Sequence, residues 1–240
     1  MVYLDKNVAD LDRLELMIRV TGVLVNLTPL RVGVGREPPL GSSADLSVIR
    51  IRGPGGRLEP YIPGSSIKGV LRSYSEQLVR SLYGNVHDPW DREAMEKEAR
   101  EGKFCVICGL FGSTELASHV RVFDAYPRGR PTVQIKTGIS IDREFGGARP
   151  GVLFNEEVVS PGCEWEFRMD VVNVEFPPSG NSPDPRSVVL DEIFKALKLG
   201  VIQVGARRSV GMGLIRLTEA TWKKYTIKNG RLKEEGEGKI

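Results

Sequence analysis

The chain has 240 residues, of which 40% are hydrophobic and 27% are charged, and its formal net charge at pH 7 is +3. This composition excludes a globally disordered chain and allows a sizeable core in one elaborated domain or two small ones. We expect a single domain, residues 1–240, with long insertions. So small a net charge permits nucleic-acid binding without indicating it, so local clusters of lysine and arginine must carry that argument.

The cysteines and the apolar runs bear on the cellular setting. Three cysteines are an odd number and do not fit a secreted disulfide framework. No apolar run approaches the roughly 20 residues that span a bilayer, and the acidic, polar N-terminus does not resemble a signal peptide. We therefore expect a cytoplasmic protein that does not associate with a membrane.

The first predicted elements are a strand and a helix. Residues 14–26 are rich in β-branched side chains, which favours a strand. The glycine- and proline-rich residues 33–64 are numerous enough to be functional. Ser65 or Ser66 can cap a helix that follows, and apolar residues recur along it at helical spacing. This apolar stripe comprises Ile67, Val70, Leu71, Tyr74, Leu78 and Leu82.

Two strands, a second helix and a final strand come next. Residues 119–126 predict a strand, and residues 164–171 alternate between apolar and charged side chains, which predicts a strand with one buried face. Ser187 precedes a helix that ends near Gly200. Residues 213–217 predict the last strand, and we expect the charged sequence after it to be solvated.

The order strand, helix, strand, strand, helix, strand predicts an α+β fold. It is the order of the ferredoxin-like βαββαβ core that RNA-recognition motifs also use. Three insertions interrupt this core, at about residues 27–63, 84–118 and 137–161, and the third has the pattern of a hairpin. The fold alone does not give a function.

The start of the first predicted helix has the features of an anion site. Glycine lets a ligand approach the backbone, and a helix N-terminus presents unpaired N–H groups with a partial positive charge. Lys68 and Arg72 are one turn apart, so both can contact a phosphate chain together with Ser65 and Ser66. The alternative is an ordinary capped amphipathic helix whose charges are solvated.

A second glycine-rich loop, residues 205–213, lies just before the last predicted strand. It carries Arg207 and Arg208, and it suits an extended RNA backbone. It lacks the Gly-Lys-Ser/Thr ending of a nucleotide-binding P-loop and no helix follows closely, which argues against a mononucleotide site. A flexible surface turn is the alternative.

Cys105 and Cys108 have the spacing of half a zinc site, and His87 lies in the same insertion. A closed tetrahedral site would stabilise an insertion that is too small to have a core of its own. The alternative is two partly buried cysteines and a surface histidine. The fourth ligand stays open among Asp88, Asp91, His119 and Cys163.

Four motifs in this order resemble the RAMP superfamily of CRISPR-associated proteins, in particular the backbone subunit of type III (Csm-like or Cmr-like) effector complexes. Residues 62–72 have the sequence Ile-Pro-Gly-Ser-Ser-Ile-Lys-Gly-Val-Leu-Arg, and residues 108–113 have the sequence Cys-Gly-Leu-Phe-Gly-Ser. Residues 137–143 have the sequence Thr-Gly-Ile-Ser-Ile-Asp-Arg, and the glycine-rich loop, residues 205–213, is the fourth. The combination is far more specific than any one motif.

This resemblance implies a ferredoxin-like core that assembles head to tail along a guide RNA, together with other CRISPR effector subunits. A thumb hairpin would interrupt the guide–target duplex, and residues 137–161 match it. Arg143 and Arg149 would meet the RNA backbone, while Phe145 and Phe154 would wedge or stack against a base. The alternative is that these phenylalanines pack the hairpin onto its neighbours. Relatives of this kind can also carry a structural zinc in the cysteine-containing insertion.

The resemblance also implies cleavage of target RNA by an aspartate in the loop after the first strand. Residues 41–50 match that loop, which makes Asp45 the candidate. One carboxylate can bind a divalent metal, Mg²⁺ or Mn²⁺, or orient the attacking 2′-hydroxyl. Arg36, Arg50 and Arg52 are candidate charge stabilisers. Asp45 is alternatively a turn or cap residue.

Three functions therefore stay open at the level of sequence. The first is an RNA-guided backbone subunit with endoribonuclease activity, and the second is an RNA-binding scaffold without chemistry. The third is a stand-alone nuclease that processes guide RNA, which the thumb-like insertion and the loop aspartate weigh against.

Overall fold

The computed structural model describes residues 3–6, 11–35, 44–53, 56–84, 86–181 and 183–240. The strands there are β1 Tyr3–Asp5, β2 Leu16–Asn26, β3 Arg50–Arg52, β4 Leu58–Pro60, β5 Lys103–Cys105, β6 Val120–Val122, β7 Val133–Ile141, β8 Ala148–Val159, β9 Glu164–Val172, β10 Ile202–Gln203, β11 Leu214–Lys228 and β12 Arg231–Lys239. The α-helices are α1 Gly64–Tyr83, α2 Arg92–Glu101, α3 Cys108–Phe111 and α4 Pro185–Leu199. Within this described part, none of the helices combines the length and apolar character that crossing a membrane requires.

An antiparallel sheet carries the core. Its strand order is β10–β11–β2–β9–β6, and β12 pairs with β11 beside β10. Alternate side chains of β2 and β9 are buried, as the period of two requires, and α1 and α4 pack on that face. The fold is therefore mixed α+β, as predicted. The buried side chains on these two strands include Ile18, Val20, Leu24, Trp165, Phe167 and Met169.

Helix α1 begins at Gly64, before both predicted caps. Pro63 is its N-cap residue, and no side chain of the cap residue closes the helix end. Asp124, which is 60 residues away in sequence, instead accepts a hydrogen bond of 2.8 Å from the Gly64 N–H. Glycine is required here because a Cβ on Gly64 would lie 2.3 Å from the carbonyl oxygen of Val122. The prediction of a serine cap was wrong because a distant aspartate fills that role.

The buried face of α1 also differs from the predicted stripe. It consists of Ile67, Leu71 and Val79 together with Ser75 and Glu76, and Leu82 is 55% exposed. The apolar stripe therefore holds for the first half of the helix and fails near its end.

Helix α4 begins three residues earlier than predicted. Asp184 is its N-cap and accepts the backbone N–H of Arg186 at 2.8 Å, with Pro185 at the first helical position. The hydroxyl of Ser187 instead donates to the carbonyl of Glu175 at 2.6 Å. The end of the helix is as predicted, because Gly200 has a left-handed backbone conformation there.

Two strand predictions differ in length from the structure. The strand predicted at residues 119–126 is only three residues long, because Asp124 turns towards α1 and Ala125 forms an isolated bridge with Ile62. The last strand, in contrast, runs from Leu214 to Lys228, since the charged sequence after it folds back as β12 and pairs with it.

The sheet face opposite the helices carries a charged network. Asp170 on β9 is buried and accepts two hydrogen bonds of 2.9 Å from the guanidinium of Arg19 on β2. Arg168 adds a hydrogen bond of 3.1 Å and also lies 4.1 Å from the ring centroid of Phe123. Burial alone would raise the pKa of Asp170, but the hydrogen bonds from the two arginines hold it below its ordinary value.

Strands β7 and β8 form a hairpin between β6 and β9, over the region that the sequence predicted. Their register pairs Val133 with Val159 at the base and Ile141 with Ala148 near the tip. Backbone contacts of β8 continue at the base, where Leu30 and Leu46 form isolated bridges with it. The hairpin base thus contacts two segments that follow β2 in the chain, one around Leu30 and the other around Leu46.

Candidate nucleic-acid interface and metal cluster

Asp45 is exposed and is fixed to the hairpin base. Its Oδ2 accepts the backbone N–H of Asn155 at 2.7 Å, and its own N–H donates to the Asn155 carbonyl at 2.9 Å. These two bonds orient the carboxylate relative to β8. The arrangement suits either a turn residue or a carboxylate held ready for a ligand.

The predicted arginines near Asp45 differ in their surroundings. Arg50 makes a two-pronged ion pair with Glu157, with distances of 2.8 and 3.0 Å, so much of its guanidinium is already engaged. Arg52 is exposed and donates to the carbonyl of Gly56 at 2.8 Å. Arg36 lies outside the described residues. Arg52 is therefore better placed than Arg50 to contact a ligand.

The glycine-rich loop, residues 205–213, is folded tightly against neighbouring backbone. A Cβ on Gly205 would lie 2.3 Å from the carbonyl oxygen of Arg31, and one on Gly213 would lie 2.0 Å from that of Val204. Gly205, Gly211 and Gly213 have positive φ angles, of 87°, 84° and 81° respectively. Glycine is needed at Gly205 and Gly213 because the loop lies so close to the backbone carbonyls of Arg31 and Val204.

Arg207 in this loop is held by an acid and an aromatic ring. Its Nε lies 2.9 Å from a carboxylate oxygen of Glu156, and its Cζ lies 4.6 Å from the ring centroid of Phe154. Arg31 approaches the same carboxylate oxygen at 3.3 Å, and Glu156 is almost fully buried. Arg208 is exposed in a short 3-10 turn. The loop thus presents two arginines, one of them with a fixed orientation.

Lys68 and Arg72 lie together in a groove of about 440 Å³ between α1 and the loop that follows α3. Lys68 donates to the hydroxyl of Ser118 at 2.8 Å, and Arg72 donates to the carbonyl of Gly112 at 2.9 Å. Burial, with the nearby charge of Arg72, lowers the pKa of Lys68. Glu76 binds Arg72 at 2.9 Å and offsets part of its charge. The two predicted cations share a face and line this groove.

The serines at the start of α1 lie next to an amide that is already used. Ser65 is exposed and Ser66 is half-buried, while the preceding Gly64 N–H is bonded to Asp124. The carboxylate of Asp124 thus stands at the helix N-terminus, where the sequence predicted an external anion.

The predicted hairpin residues divide into an exposed tip and a packed base. Arg143 and Arg149 are exposed, and Phe145 near the tip is 86% exposed. Phe154 instead lies across Gly138, where an added Cβ would come within 2.1 Å of its ring. Its position therefore fits the packing alternative better than a wedge between bases.

His87, Glu98, Cys105 and Cys108 form a cluster whose ligand atoms lie within 4.8 Å of one another. The Nε2 atom of His87 lies 3.5 Å from the sulfur of Cys105, 3.3 Å from that of Cys108 and 3.3 Å from a Glu98 oxygen. Tetrahedral zinc, with bonds of about 2.0–2.3 Å, places neighbouring ligand atoms roughly 3.3–3.8 Å apart. The second oxygen of Glu98 is buried and has no hydrogen-bond partner among the residues that the structure describes. The cluster therefore fits zinc in its size, donor types and unmet bonding capacity.

The pKa values in the cluster follow from its contacts and burial. The hydrogen bond to Cys105 raises the pKa of His87 to about 9, and burial raises the pKa of Glu98 to about 7. The hydrogen bond with Cys108 lowers the pKa of Cys105 to about 4, and the same bond raises the pKa of Cys108. Cys105 is thus disposed to carry the thiolate that binds a metal.

Most of the chain matches the model of one protein family. The RAMP superfamily matches residues 23–216, which include β3 to β10, parts of β2 and β11, both glycine-rich segments and the candidate metal cluster. The chain belongs to the RAMP superfamily. This confirms the resemblance that the four sequence motifs indicated.

This RAMP chain is also similar to a curated protein named CRISPR system Cms endoribonuclease Csm3, from Methanothermobacter thermautotrophicus. The two are 37% identical over 94 residues, which is 39% of this chain and 32% of the relative. The chain thus matches about a third of the length of that relative.

Sequence reasoning missed Glu98 as the fourth member of the RAMP chain's metal cluster. The proposed alternatives have other roles: Asp88 pairs with Arg80, and Asp91 caps α2 by accepting the Ala94 N–H. Glu98 lies one turn after Met95 on the buried face of α2, in an otherwise charged helix. The signal that could have identified Glu98 was its spacing from Met95, which places both side chains on the same face of the helix. His119 binds the Val172 carbonyl, and neither it nor Cys163 is in the cluster.

Proposed function

We propose that this RAMP chain is a guide-RNA-binding backbone subunit of a type III CRISPR effector complex, and that it cleaves complementary target RNA. One observation carries the proposal: consecutive residues of β8 hold the Asp45 loop and the glycine-rich loop. Asn155 binds Asp45, and the next residue, Glu156, binds Arg207. A candidate catalytic carboxylate and a candidate phosphate-binding arginine are thus fixed by one short segment of chain.

The sheet supports a ferredoxin-like core. The order β11–β2–β9–β6 places the fourth, first, third and second core strands side by side, with α1 after the first and α4 after the third. We propose one RAMP domain over residues 1–240, with insertions at about residues 27–63, 84–118 and 137–161. The hairpin β7–β8 would be the thumb.

Two basic regions would hold the guide backbone. Lys68 and Arg72 line the groove beside α1, with Ser65 and Ser66 at its helix start, and Arg207 and Arg208 lie on the glycine-rich loop. Phosphate contacts of this kind position RNA and confer little sequence preference, which suits a subunit that accepts many guides. Arg143, Arg149 and Phe145 on the hairpin would meet the guide–target duplex.

Asp45 would act together with a divalent cation, Mg²⁺ or Mn²⁺. Such cations are commonly bound by one or two carboxylates and the substrate phosphate, so a single exposed carboxylate fits this role. When bound, the cation supplies charge stabilisation at the scissile phosphate. The Asn155 N–H would orient the Asp45 carboxylate, and Arg52 would contribute positive charge.

The proposal extends to partners and to zinc. The chain would associate head to tail with further copies along the guide and with other effector subunits in the cytoplasm. The cluster of His87, Glu98, Cys105 and Cys108 would hold a structural zinc that stabilises the insertion between α1 and β6.

Substitution of Asp45 tests the proposed chemistry. Asp45→Asn keeps an acceptor for the Asn155 N–H and removes the negative charge. In the complex assembled with guide RNA, we expect target cleavage to fall by about 100-fold or more, with guide binding unchanged. The matched control is Asp12→Asn, because Asp12 is an exposed aspartate beside Arg13. Unchanged cutting by the Asp45 variant would end the proposal of catalysis.

One observation favours a non-catalytic scaffold as the second candidate. An oxygen of Asp45 accepts a backbone N–H, as a purely structural turn residue does. On this alternative, Asp45→Asn and the parent complex bind guide and target alike, and neither cuts the target RNA.

A further inference from the structure

The loop that carries Asp45 is bonded to the hairpin base along several residues. The N–H of Leu46 donates to the Asn155 carbonyl at 3.2 Å, and the N–H of Glu157 donates to the Leu46 carbonyl at 2.8 Å. Together with the Asp45 bonds, these contacts align the loop alongside β8. The position of Asp45 therefore depends on the hairpin strand as well as on its own loop.

The side chain of Glu157 completes this attachment. One of its oxygens accepts the N–H of Val48 at 3.0 Å and an N–H of Arg50 at 2.8 Å, and its other oxygen accepts from Arg50 at 3.0 Å. Val48 is 2% exposed, so its N–H has little access to water as an alternative partner. Removing the carboxylate would leave a buried donor and an arginine without these bonds.

The charge state of Glu157 agrees with this geometry. Burial alone would raise its pKa, but the hydrogen bonds from Arg50 and from the Val48 N–H hold it below its ordinary value. At neutral pH the carboxylate is therefore ionised and accepts all three bonds. Glu157 has no described contact with Asp45 itself, so any effect on Asp45 passes through the loop.

We propose that Glu157 is a positioning residue for Asp45, which fixes the loop through Val48 and Arg50. The inference rests on the proposed cleavage function and deepens it. A carboxylate misplaced by about 1 Å can lose about 100-fold in rate, so a loosened loop should slow cutting while leaving RNA binding in place. The strand of the hairpin would then serve the chemistry at its base, apart from any contact that its tip makes with RNA.

Two substitutions of Glu157 separate positioning from a general loss of structure. Glu157→Ala removes all three bonds, whereas Glu157→Gln keeps one oxygen that can accept from Val48 or Arg50. In the guide-loaded complex with saturating target, we expect a single-turnover cutting rate about 10- to 100-fold lower for the alanine variant. The glutamine variant should recover most of that loss, and target affinity should match the parent in both.

Hydrogen exchange provides a readout that does not depend on cutting. In the full-length protein, the amides of Leu46 and Val48 should exchange faster in Glu157→Ala, with a smaller change in Glu157→Gln. The matched control is Glu234→Ala, which removes the acid from an exposed ion pair with Lys223 at 2.9 Å. It should alter neither the cutting rate nor exchange in the Asp45 loop.

A double substitution tests the path through Arg50. If Glu157 acts through this arginine, Arg50→Ala combined with Glu157→Ala should slow cutting no more than Glu157→Ala alone. Additive losses from the two changes would contradict that path.

The outcomes distinguish this inference from the proposed function. If Asp45→Asn abolishes cutting while Glu157→Ala cuts at the parental rate, the positioning role is overturned and the proposed function stands. If Asp45→Asn cuts normally, both are overturned. Should the alanine variant fail to fold, Arg50→Ala takes its place, because it removes two of the three bonds to the Glu157 carboxylate. Parental cutting together with parental exchange in that variant would overturn the positioning role.

Discussion

At the scale of single residues, the sequence predicted candidate site residues but not the residues that contact them. The spacing of Cys105 and Cys108 pointed to a metal, and His87 joined them as predicted. Glu98 was not identified, because a glutamate in a charged helix looks solvated until the helix is seen to bury that face. The sequence thus predicts a candidate ligand when suitable residue types occur at a distinctive spacing. It fails when a residue becomes a candidate only because the fold buries it beside the others.

The metal cluster gives the prediction at this scale. The double variant Cys105→Ser, Cys108→Ser should lose bound zinc, because it removes both thiolate ligands. Glu98→Gln should still bind zinc but lose it at lower chelator concentrations, since a neutral amide is the weaker ligand. Elemental analysis of the purified protein and titration with a chelator measure both effects.

The control for this experiment is Cys163→Ser, which removes the cysteine that lies outside the cluster. It should keep the zinc content of the parent. Equal zinc in the parent and in the double cysteine variant would contradict the proposed site.

At the scale of elements, periodicity predicted the strands and helices better than their ends. The end of α4 at Gly200 was predictable because a glycine in a left-handed conformation is a local signal. The starts of α1 and α4 were not, since Asp124 lies far from α1 in sequence and Asp184 outcompetes Ser187. Local signals are therefore reliable where the partner is local, and they fail where the partner comes from another element.

The base of the hairpin provides the prediction for this scale. Gly138→Ala would place a Cβ 2.1 Å from the ring of Phe154, which lies beneath Arg207. The ring has to move, so we expect a loss of about 1–3 kcal/mol in the free energy of unfolding. Arg207 would also lose its aromatic contact, and RNA affinity should fall. Urea denaturation and RNA-binding titrations measure these two effects.

Gly147→Ala is the matched control on the same hairpin. A Cβ there has no neighbouring atom within 4 Å, so stability and RNA affinity should remain those of the parent. A Gly138→Ala protein as stable as the Gly147→Ala protein would show that the ring is free to move aside.

At the scale of the whole molecule, the sequence predicted a mixed α+β fold, and the structure has one. It did not predict which loops meet. Glu157 binds Arg50 across 107 residues, and Asp45 and Asn155 are 110 residues apart. No pattern within either segment marks these pairs, because the fold brings them together through the hairpin. Asp45 and Arg50 were thus predictable as candidates from the sequence, whereas their contacts with Asn155 and Glu157 were not.

The charged network on the open face of the sheet yields a prediction about folding stability and pH. Asp170 is bound by Arg19 and Arg168, and its pKa in the folded protein is below the ordinary value. A lowered pKa stabilises the fold at pH values above the unfolded-state pKa of about 3.9, and this contribution is lost as the pH falls through the folded-state value. Asp170→Asn should therefore cost about 1–3 kcal/mol at pH 7, and the difference from the parent should shrink below about pH 4. Urea denaturation between pH 3 and 7 measures this difference in stability, with Asp12→Asn as an exposed control. A difference that stays constant down to pH 3 would show that the network contributes by packing instead of by charge.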